Sequence, residues 1–140
     1  MYVAIMGYGV VGSGVAELLA KNHEHIVKKS MQSELELKYI LDRREFPGDP
    51  YEKLVITDFA KILEDDEVKI VVETMGGLHP AYEYVTACLK AGKSVVTSNK
   101  ELADRTFNCF FRGGIDFRYA RRRGISPHRS EKRRVGKECR

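Results

Sequence analysis

Near its start the chain reads Gly7-Tyr8-Gly9-Val10-Val11-Gly12, directly after an apolar run from Tyr2 to Met6. The residues that follow, up to Lys21, have the composition of a helix. A G-x-G-x-x-G pattern indicates dinucleotide binding only between a strand and a helix, and both flanks meet that condition. The pattern therefore predicts a strand, a tight glycine turn and a helix that together bind a dinucleotide.

Each glycine of this loop has its own predicted role. Gly7 makes the tight turn, Gly9 lets the backbone approach a pyrophosphate, and Gly12 lets the helix pack close to the strand. The N-terminus of the helix adds unpaired N–H groups and a partial positive charge that attract phosphate. The alternative interpretation is a glycine-rich turn that only allows a helix to pack on a strand.

Length and composition limit the remaining possibilities. A chain of 140 residues fits one domain with a core of its own, and no apolar run approaches the roughly 20 residues of a membrane span. We expect no secretory signal, because the first strand begins at Tyr2. The three cysteines are far apart and form no C-x-x-C or Cys/His cluster, which predicts reduced thiols and no metal site. We therefore expect a cytoplasmic protein.

The net charge of +4 combines two different compositions. Residues 1–102 hold 12 Lys and Arg against 16 Asp and Glu, whereas residues 103–140 hold 12 against 4. The first part is therefore acidic by −4 and the second basic by +8. This change predicts a boundary near residue 102.

Short apolar segments alternate with helical segments along the first part of the chain. The predicted strands cover residues 2–6, 36–41, 54–56, 68–73 and 94–97. This alternation indicates an α/β fold, a Rossmann-like doubly wound parallel sheet that is incomplete at its C-terminal end. In the first helix, the spacing predicts that the sheet is covered by Val11, Val15, Leu18 and Leu19.

The second predicted strand ends at Asp42-Arg43-Arg44. An acidic residue here accepts hydrogen bonds from the adenosine ribose, while a nearby Arg accommodates a 2′-phosphate. The usual separation from the last glycine is about 20 residues, but Asp42 lies 30 beyond Gly12, so the first helix or its loop is longer than usual. Asp42 favours NAD, and Arg43 or Arg44 favours NADP. A solvated charge cluster is the alternative.

Two later strand ends carry further candidate residues. Met75, Gly76 and Gly77 follow the fourth strand, and ligands in open α/β sheets lie outside such ends. We therefore place these three residues beside the central sugars of the cofactor, with an ordinary turn as the alternative. Ser98, Asn99 and Lys100 follow the fifth strand. Lys100 is positioned to reach the nicotinamide or the substrate, unless it is a generic exposed lysine.

These stretches together resemble the cofactor domain of homoserine dehydrogenase. The resemblance covers residues 2–102 and depends on the glycine loop through Gly14, on Val72-Glu73-Thr74-Met75-Gly76-Gly77, and on the segment from Ala91 to Lys100. The Asn-Lys ending of that last segment is the most specific part, because related nucleotide domains of other dehydrogenases usually lack it.

The resemblance implies NAD(P)-dependent interconversion of L-homoserine and aspartate 4-semialdehyde, a step toward threonine, isoleucine and methionine. It places the pyrophosphate on Gly7, Tyr8, Gly9, Val10, Val11 and Gly12, and the adenosine ribose at Asp42 or Arg43. Met75 to Gly77 and Ser98 to Lys100 would line the nicotinamide side. Lys100 matches a family lysine near the nicotinamide and the substrate. The family's main catalytic and substrate-binding residues come from a later domain, so this chain alone is expected to be inactive. Family members are typically homo-oligomers.

Residues 103–140 depart from the family pattern. They are basic and aperiodic, and the last twelve resemble translated vector or adapter sequence. We expect this segment to be a disordered tail, and our hypothesis is that the reading frame is lost near Leu102. Nucleic-acid binding by the tail is the less favoured alternative, because the tail has charge but no interleaved aromatic residues.

Loss of the family's next strand and helix would leave a sheet edge and apolar surface uncovered. This predicts poor solubility, or oligomerisation through that edge. Three functions therefore compete at this point: a homoserine dehydrogenase cofactor domain, the cofactor domain of another sugar or semialdehyde dehydrogenase, and a nucleic-acid binder.

Overall fold

A computed structural model describes residues 1–22 and 35–103 of the chain. In chain order, the elements of the described part are β1 Tyr2–Met6, α1 Val10–Lys21, β2 Glu36–Leu41, β3 Val55–Ile56, α2 Ala60–Glu64, β4 Val68–Glu73, α3 Ala81–Lys90 and β5 Ser94–Thr97. Of the predicted tail, residues 103–140, all but residue 103 lie outside the described residues, as does the segment after α1. The predictions made for those segments are therefore untested.

The strands form one parallel sheet in the order β3-β2-β1-β4-β5. This arrangement confirms the predicted Rossmann-like α/β fold. Four strands have the predicted bounds, while β3 is one residue shorter because Leu54 ends a 3-10 turn. The strand order reverses between β1 and β4, and ligands of such sheets bind in the crevice at that reversal.

The strand register brings the carboxyl ends to the same edge of the sheet. Met6 pairs with Leu41 on β2 and with Glu73 on β4, and Glu73 pairs in turn with Thr97 on β5. The loops that follow these strands therefore begin side by side. Because all candidate site residues follow strand ends, the topology gathers them along this edge.

Helix α1 packs on the sheet through a different face from the predicted one. Its buried residues are Gly12 and Ala16, one turn apart, whereas Val11 is 55% and Leu18 59% exposed. The prediction that Val11 and Leu18 cover the sheet is therefore wrong. The physical reason is close approach: the helix contacts the strand through its smallest residues, which turns the larger valine and leucine outward. Val15, also in the predicted set, does pack against the core.

Helix α3 covers the sheet near β4 and β5. Its residues Ala81, Val85 and Cys88 are fully buried. After the helix, Gly92 adopts a φ of +78° and donates to Leu89, while Lys93 donates to the Cys88 carbonyl. This pair of bonds is a Schellman motif, which needs a left-handed residue and therefore favours glycine. The turn leads directly into β5.

A reactive thiol, a metal site and a membrane-spanning helix are all absent from the described residues. Burial raises the pKa of Cys88 to about 11, so its thiol stays protonated and unreactive at neutral pH. Over residues 1–22 and 35–103 there is no group of His, Cys, Asp and Glu side chains able to hold a metal ion. No helix in these ranges is long and apolar enough to cross a membrane.

Candidate dinucleotide site

The glycine loop is closely packed against the end of β4. Gly7 has a φ of +96°, and a Cβ placed on it would lie 2.8 Å from the Met75 Cα. A Cβ on Gly12 would overlap the Gly7 carbonyl oxygen and reach within 3.0 Å of the Thr74 Oγ1. Both positions therefore require glycine for the tight turn and the close helix approach, as the sequence predicted.

The first turn of α1 is open on its outer side. Gly9 is the N-cap residue, and a Cβ on it would meet no atom within 4 Å. Val10 is 92% exposed, and the first turn contains no acidic residue. The N–H groups of a first helical turn have no partner within the helix. This terminus therefore offers exposed donors and a positive dipole end with no acidic residue competing for them.

Tyr8 points away from this opening. Its hydroxyl donates to the Asp49 carboxylate at 3.0 Å, and its ring contacts Phe46 edge-to-face at a centroid distance of 4.9 Å. Burial, reinforced by the Asp49 carboxylate, raises the pKa of Tyr8 to about 12. The Tyr8 side chain thus anchors the glycine loop to the segment after β2. Its predicted contact with a cofactor stays a prediction.

Asp42, at the end of β2, lies under the same loop and is fully engaged. Its Oδ2 accepts from the Tyr8 N–H at 2.8 Å and from the Arg44 Nη2 at 2.9 Å. Its Oδ1 accepts from the Arg44 backbone N–H and Nε, each at 3.0 Å. The Arg44 hydrogen bonds hold the pKa of Asp42 far below its usual value. Asp42 is therefore ionised and clamps the loop.

The two arginines after Asp42 lie in different environments. The Arg44 guanidinium lies over the Phe46 ring, 5.2 Å from its centroid, and donates to the Tyr8 carbonyl at 3.2 Å. Its side chain is nevertheless 63% exposed. Arg43, the arginine predicted at this end of the site, is exposed. The sequence left open which of the two arginines acts at this site. In the structure, Arg44 contacts Asp42 and the glycine loop.

The loop after β4 is joined to the glycine loop. The Thr74 hydroxyl donates to the Gly7 carbonyl at 2.7 Å, and the Met75 N–H donates to Glu73 at 2.8 Å. Gly76 and Gly77 follow with φ values of +73° and +71°, and both are exposed. Two successive left-handed residues make an exposed backbone turn that glycine alone adopts without strain.

The loop after β5 closes against these glycines. The Asn99 Nδ2 donates to the Gly77 carbonyl at 2.6 Å, and its Oδ1 accepts from the Leu102 N–H at 3.1 Å. Asn99 therefore joins the two loops and caps the helical turn that begins at Lys100. Ser98 and Lys100 are exposed at the same edge of the sheet. The predicted site residues thus form one continuous strip along the strand ends.

Sequence reasoning missed three residues that hold this strip together: Glu73, Thr74 and Thr97. Glu73 is completely buried and ends β4 directly after three apolar residues, Ile70, Val71 and Val72. In the sequence, a carboxylate at the last position of a buried strand could have indicated that Glu73 holds the loops together. The two threonines carried no comparable sign, because their partners come from other strands.

Comparison of the sequence with known proteins shows which family this chain is similar to. The sequence model of the homoserine dehydrogenase NAD-binding domain matches residues 7–108. Homoserine dehydrogenase of Lactococcus lactis is 38% identical over 105 residues, which are 71% of this chain and 24% of that protein. The enzyme of Helicobacter pylori is 34% identical over 102 residues, with the same shares covered. The chain spans about a quarter of the length of these relatives.

Solved structures of the same enzyme have the same fold. Homoserine dehydrogenase of Thiobacillus denitrificans superposes with a TM-score of 0.68 at 33% identity, covering 80% of this chain and 26% of that one. The Staphylococcus aureus enzyme gives 0.67 at 28% identity, covering 82% and 31%. The family model and the sequence relatives decide against the alternative of a cofactor domain from another sugar or semialdehyde dehydrogenase. The chain belongs to the homoserine dehydrogenase family and contains that family's NAD-binding domain.

Proposed function

We propose that the protein to which this segment belongs catalyses the NAD(P)-dependent interconversion of L-homoserine and aspartate 4-semialdehyde. The segment contributes the cofactor site, and the substrate site belongs to a further domain. One observation carries this proposal: three loops, starting at Gly7, Thr74 and Ser98, are hydrogen-bonded into one strip at the strand-order reversal. This is where nucleotides bind in open α/β sheets.

Different residues of the strip bind different parts of the cofactor and the substrate. The N–H groups at Gly9, Val10 and Val11 bind the pyrophosphate, because they are exposed donors at a helix N-terminus. Met75, Gly76 and Gly77 line the central and nicotinamide part, together with Ser98 and Asn99. The nicotinamide supplies hydride acceptance when it is bound. Lys100 orients the substrate and adds positive charge near its reacting oxygen.

The adenosine end favours NADP(H) over NAD(H). An ionised carboxylate offers about four acceptor sites, and Asp42 already receives four hydrogen bonds from Tyr8 and Arg44. A ribose hydroxyl would have to displace one of them. Arg44 also neutralises Asp42, so a 2′-phosphate meets two exposed guanidinium groups, Arg44 and Arg43. We expect tighter binding of NADPH, by about tenfold.

The direct test is a titration of the chain with NADPH and with NADH, followed by the fluorescence of the reduced cofactor. We expect saturable binding that is lost in Gly9→Val, since the new side chain would occupy the space that the pyrophosphate needs. Gly14→Ala is the matched control, because a Cβ there also meets no atom within 4 Å but lies further along the helix. Equal binding by Gly9→Val and the native chain would contradict the proposed pyrophosphate site.

Arg44→Ala tests the cofactor preference separately. Removal of the guanidinium frees Asp42 to accept from a ribose, so NADPH should bind more weakly and NADH more tightly. Arg43→Ala is the comparison variant, since it leaves the contacts of Asp42 in place. An unchanged ratio of the two affinities in Arg44→Ala would show that this residue does not set the preference.

We also propose the domain division near residue 102, with residues 103–140 as a basic tail that is foreign to the family beyond residue 108, where the family match ends. The tail's charge of +8, against −4 in the preceding part, supports this division. Reading the source DNA past codon 102 in the other two frames tests it. A strand followed by a substrate-domain pattern in one frame is the expected result, and its absence from both frames would contradict the hypothesis.

We further propose that the parent protein works in the cytoplasm and forms homo-oligomers. We also expect the chain itself to associate through its uncovered sheet edge, because Val96 on β5 is 53% exposed and would gain from burial, and light scattering of the purified chain tests this. A monodisperse monomer at high concentration would contradict association of this segment.

A further inference from the structure

A buried carboxylate lies between the two loops on the nicotinamide side. Glu73 is 0% exposed, and its Oε1 accepts from the Met75 N–H at 2.8 Å. Its Oε2 accepts from the Thr97 hydroxyl at 2.5 Å. Among residues 1–22 and 35–103, no Lys or Arg forms an ion pair with Glu73. A buried polar group is costly unless it is hydrogen-bonded, so these two contacts allow Glu73 to be buried here.

The contacts of Glu73 continue into a closed ring. Thr97 accepts from the Asn99 N–H at 3.0 Å through the same oxygen that donates to Glu73. Asn99 then donates from its side chain to the Gly77 carbonyl at 2.6 Å. Gly77 leads back along the chain to Met75 and Glu73. The ring therefore links the loop after β4 to the loop after β5 through one buried acceptor.

The hydrogen bonds of the ring run in one direction, and position 73 must accept both of the bonds that reach it. The Met75 N–H is always a donor, and the Thr97 hydroxyl has one proton, which it gives to Glu73 while accepting from Asn99. A carboxylate accepts both bonds. An amide of the same shape would present an NH₂ group to one of these two donors, so that bond would be lost or reversed.

We propose that Glu73 is a positioning residue for the nicotinamide half of the cofactor. It contacts neither cofactor nor substrate and acts through Met75, Gly77 and Asn99. By joining the two loops, it holds Gly76 and Gly77 at a constant distance from Lys100, which follows Asn99 directly. This inference rests on the proposed cofactor site, whose pyrophosphate and adenosine ends are built on other elements, β1, α1 and β2.

Because the nicotinamide and adenosine ends of the proposed site are built on different elements, ligands that bind one or both ends can test the role of Glu73. Glu73→Gln should weaken NADPH binding about tenfold, the cost of one charge-assisted hydrogen bond, and leave adenosine 2′,5′-bisphosphate binding unchanged. The bisphosphate lacks the nicotinamide and so reports only the adenosine end. Both ligands are titrated against the same chain, NADPH by fluorescence and the bisphosphate by calorimetry.

A second pair of variants covers the possibility that Glu73→Gln does not fold. Thr97→Val removes the hydroxyl with little change of shape and should reproduce the selective loss of NADPH affinity, whereas Thr97→Ser keeps the hydroxyl and should restore it. Equal loss of both ligands in Thr97→Val would reduce Glu73 to a structural role and overturn the inference. Unchanged NADPH affinity would overturn it as well. Failure of the native chain to bind either ligand would instead count against the proposed cofactor site itself.

Discussion

The proposed adenosine end of the site is joined by an ion pair whose cation is 63% exposed, whereas the proposed nicotinamide end is joined by a carboxylate that is 0% exposed. The Arg44 guanidinium can exchange its contacts with water or an incoming phosphate, because most of its side chain is exposed and such contacts contribute little to stability. Glu73 has no such freedom. This difference predicts an adaptable contact at the proposed adenosine end and a constant one at the proposed nicotinamide end.

Both ends share the glycine loop, so the largest expected effect comes from that loop. Gly12→Ala introduces a Cβ that overlaps the Gly7 carbonyl and presses on Thr74. We expect a loss of about 3 kcal/mol or more in the free energy of unfolding, measured by urea denaturation. Gly14→Ala in the same helix meets no atom and should gain up to about 1 kcal/mol. Similar values for the two variants would refute the close approach.

The contrast between the two carboxylates predicts the next largest effect. Glu73→Ala leaves the Met75 N–H and the Thr97 hydroxyl without their acceptor inside the protein, and should cost about 3 kcal/mol of unfolding free energy. Asp42→Ala should cost only about 1–2 kcal/mol, because the freed Arg44 side chain is mostly in water. The same denaturation measurement compares them, and a larger loss in Asp42→Ala would reverse the contrast.

Acid should weaken the contact between Asp42 and Arg44. The pKa of Asp42 is lowered in the folded chain, so its contribution to stability is complete above the unfolded value near 3.8 and disappears as the pH falls further. We expect thermal unfolding between pH 6 and pH 3 to shift less in Asp42→Asn than in the native chain. Identical shifts would mean that the Arg44 contact does not stabilise the folded state.

The smallest effect concerns the anchor of the loop. Tyr8→Phe removes the hydroxyl that donates to Asp49 but keeps the ring against Phe46, so we expect a loss of about 1 kcal/mol. NADPH affinity should stay within about twofold, because the side chain points away from the opening. Spectroscopic titration should show the raised pKa of Tyr8 as a tyrosine that ionises near pH 12 and is lost in Tyr8→Phe. An ordinary titration would contradict its burial.

Sequence reasoning reached most of the fold because short-range patterns carry it. Apolar runs of strand length separated by helical segments led to four of the five strand bounds, and the G-x-G-x-x-G pattern located the β1–α1 turn. It failed on the buried face of α1. Periodicity identifies large apolar residues, whereas Gly12 and Ala16 are buried because they are small. The site residues were found as separate groups after separate strands.

By itself, the sequence determined the parallel α/β sheet, the family and the positions of the loops, since all of these follow from local spacing and from motifs. Only the tertiary structure decided what the loops do to one another. Asp42 and Arg44 reach the backbone of Tyr8, and Glu73 reaches Thr97, because the strand register places residues from distant parts of the chain side by side. Such contacts depend on the sheet order and leave no periodic trace in the sequence.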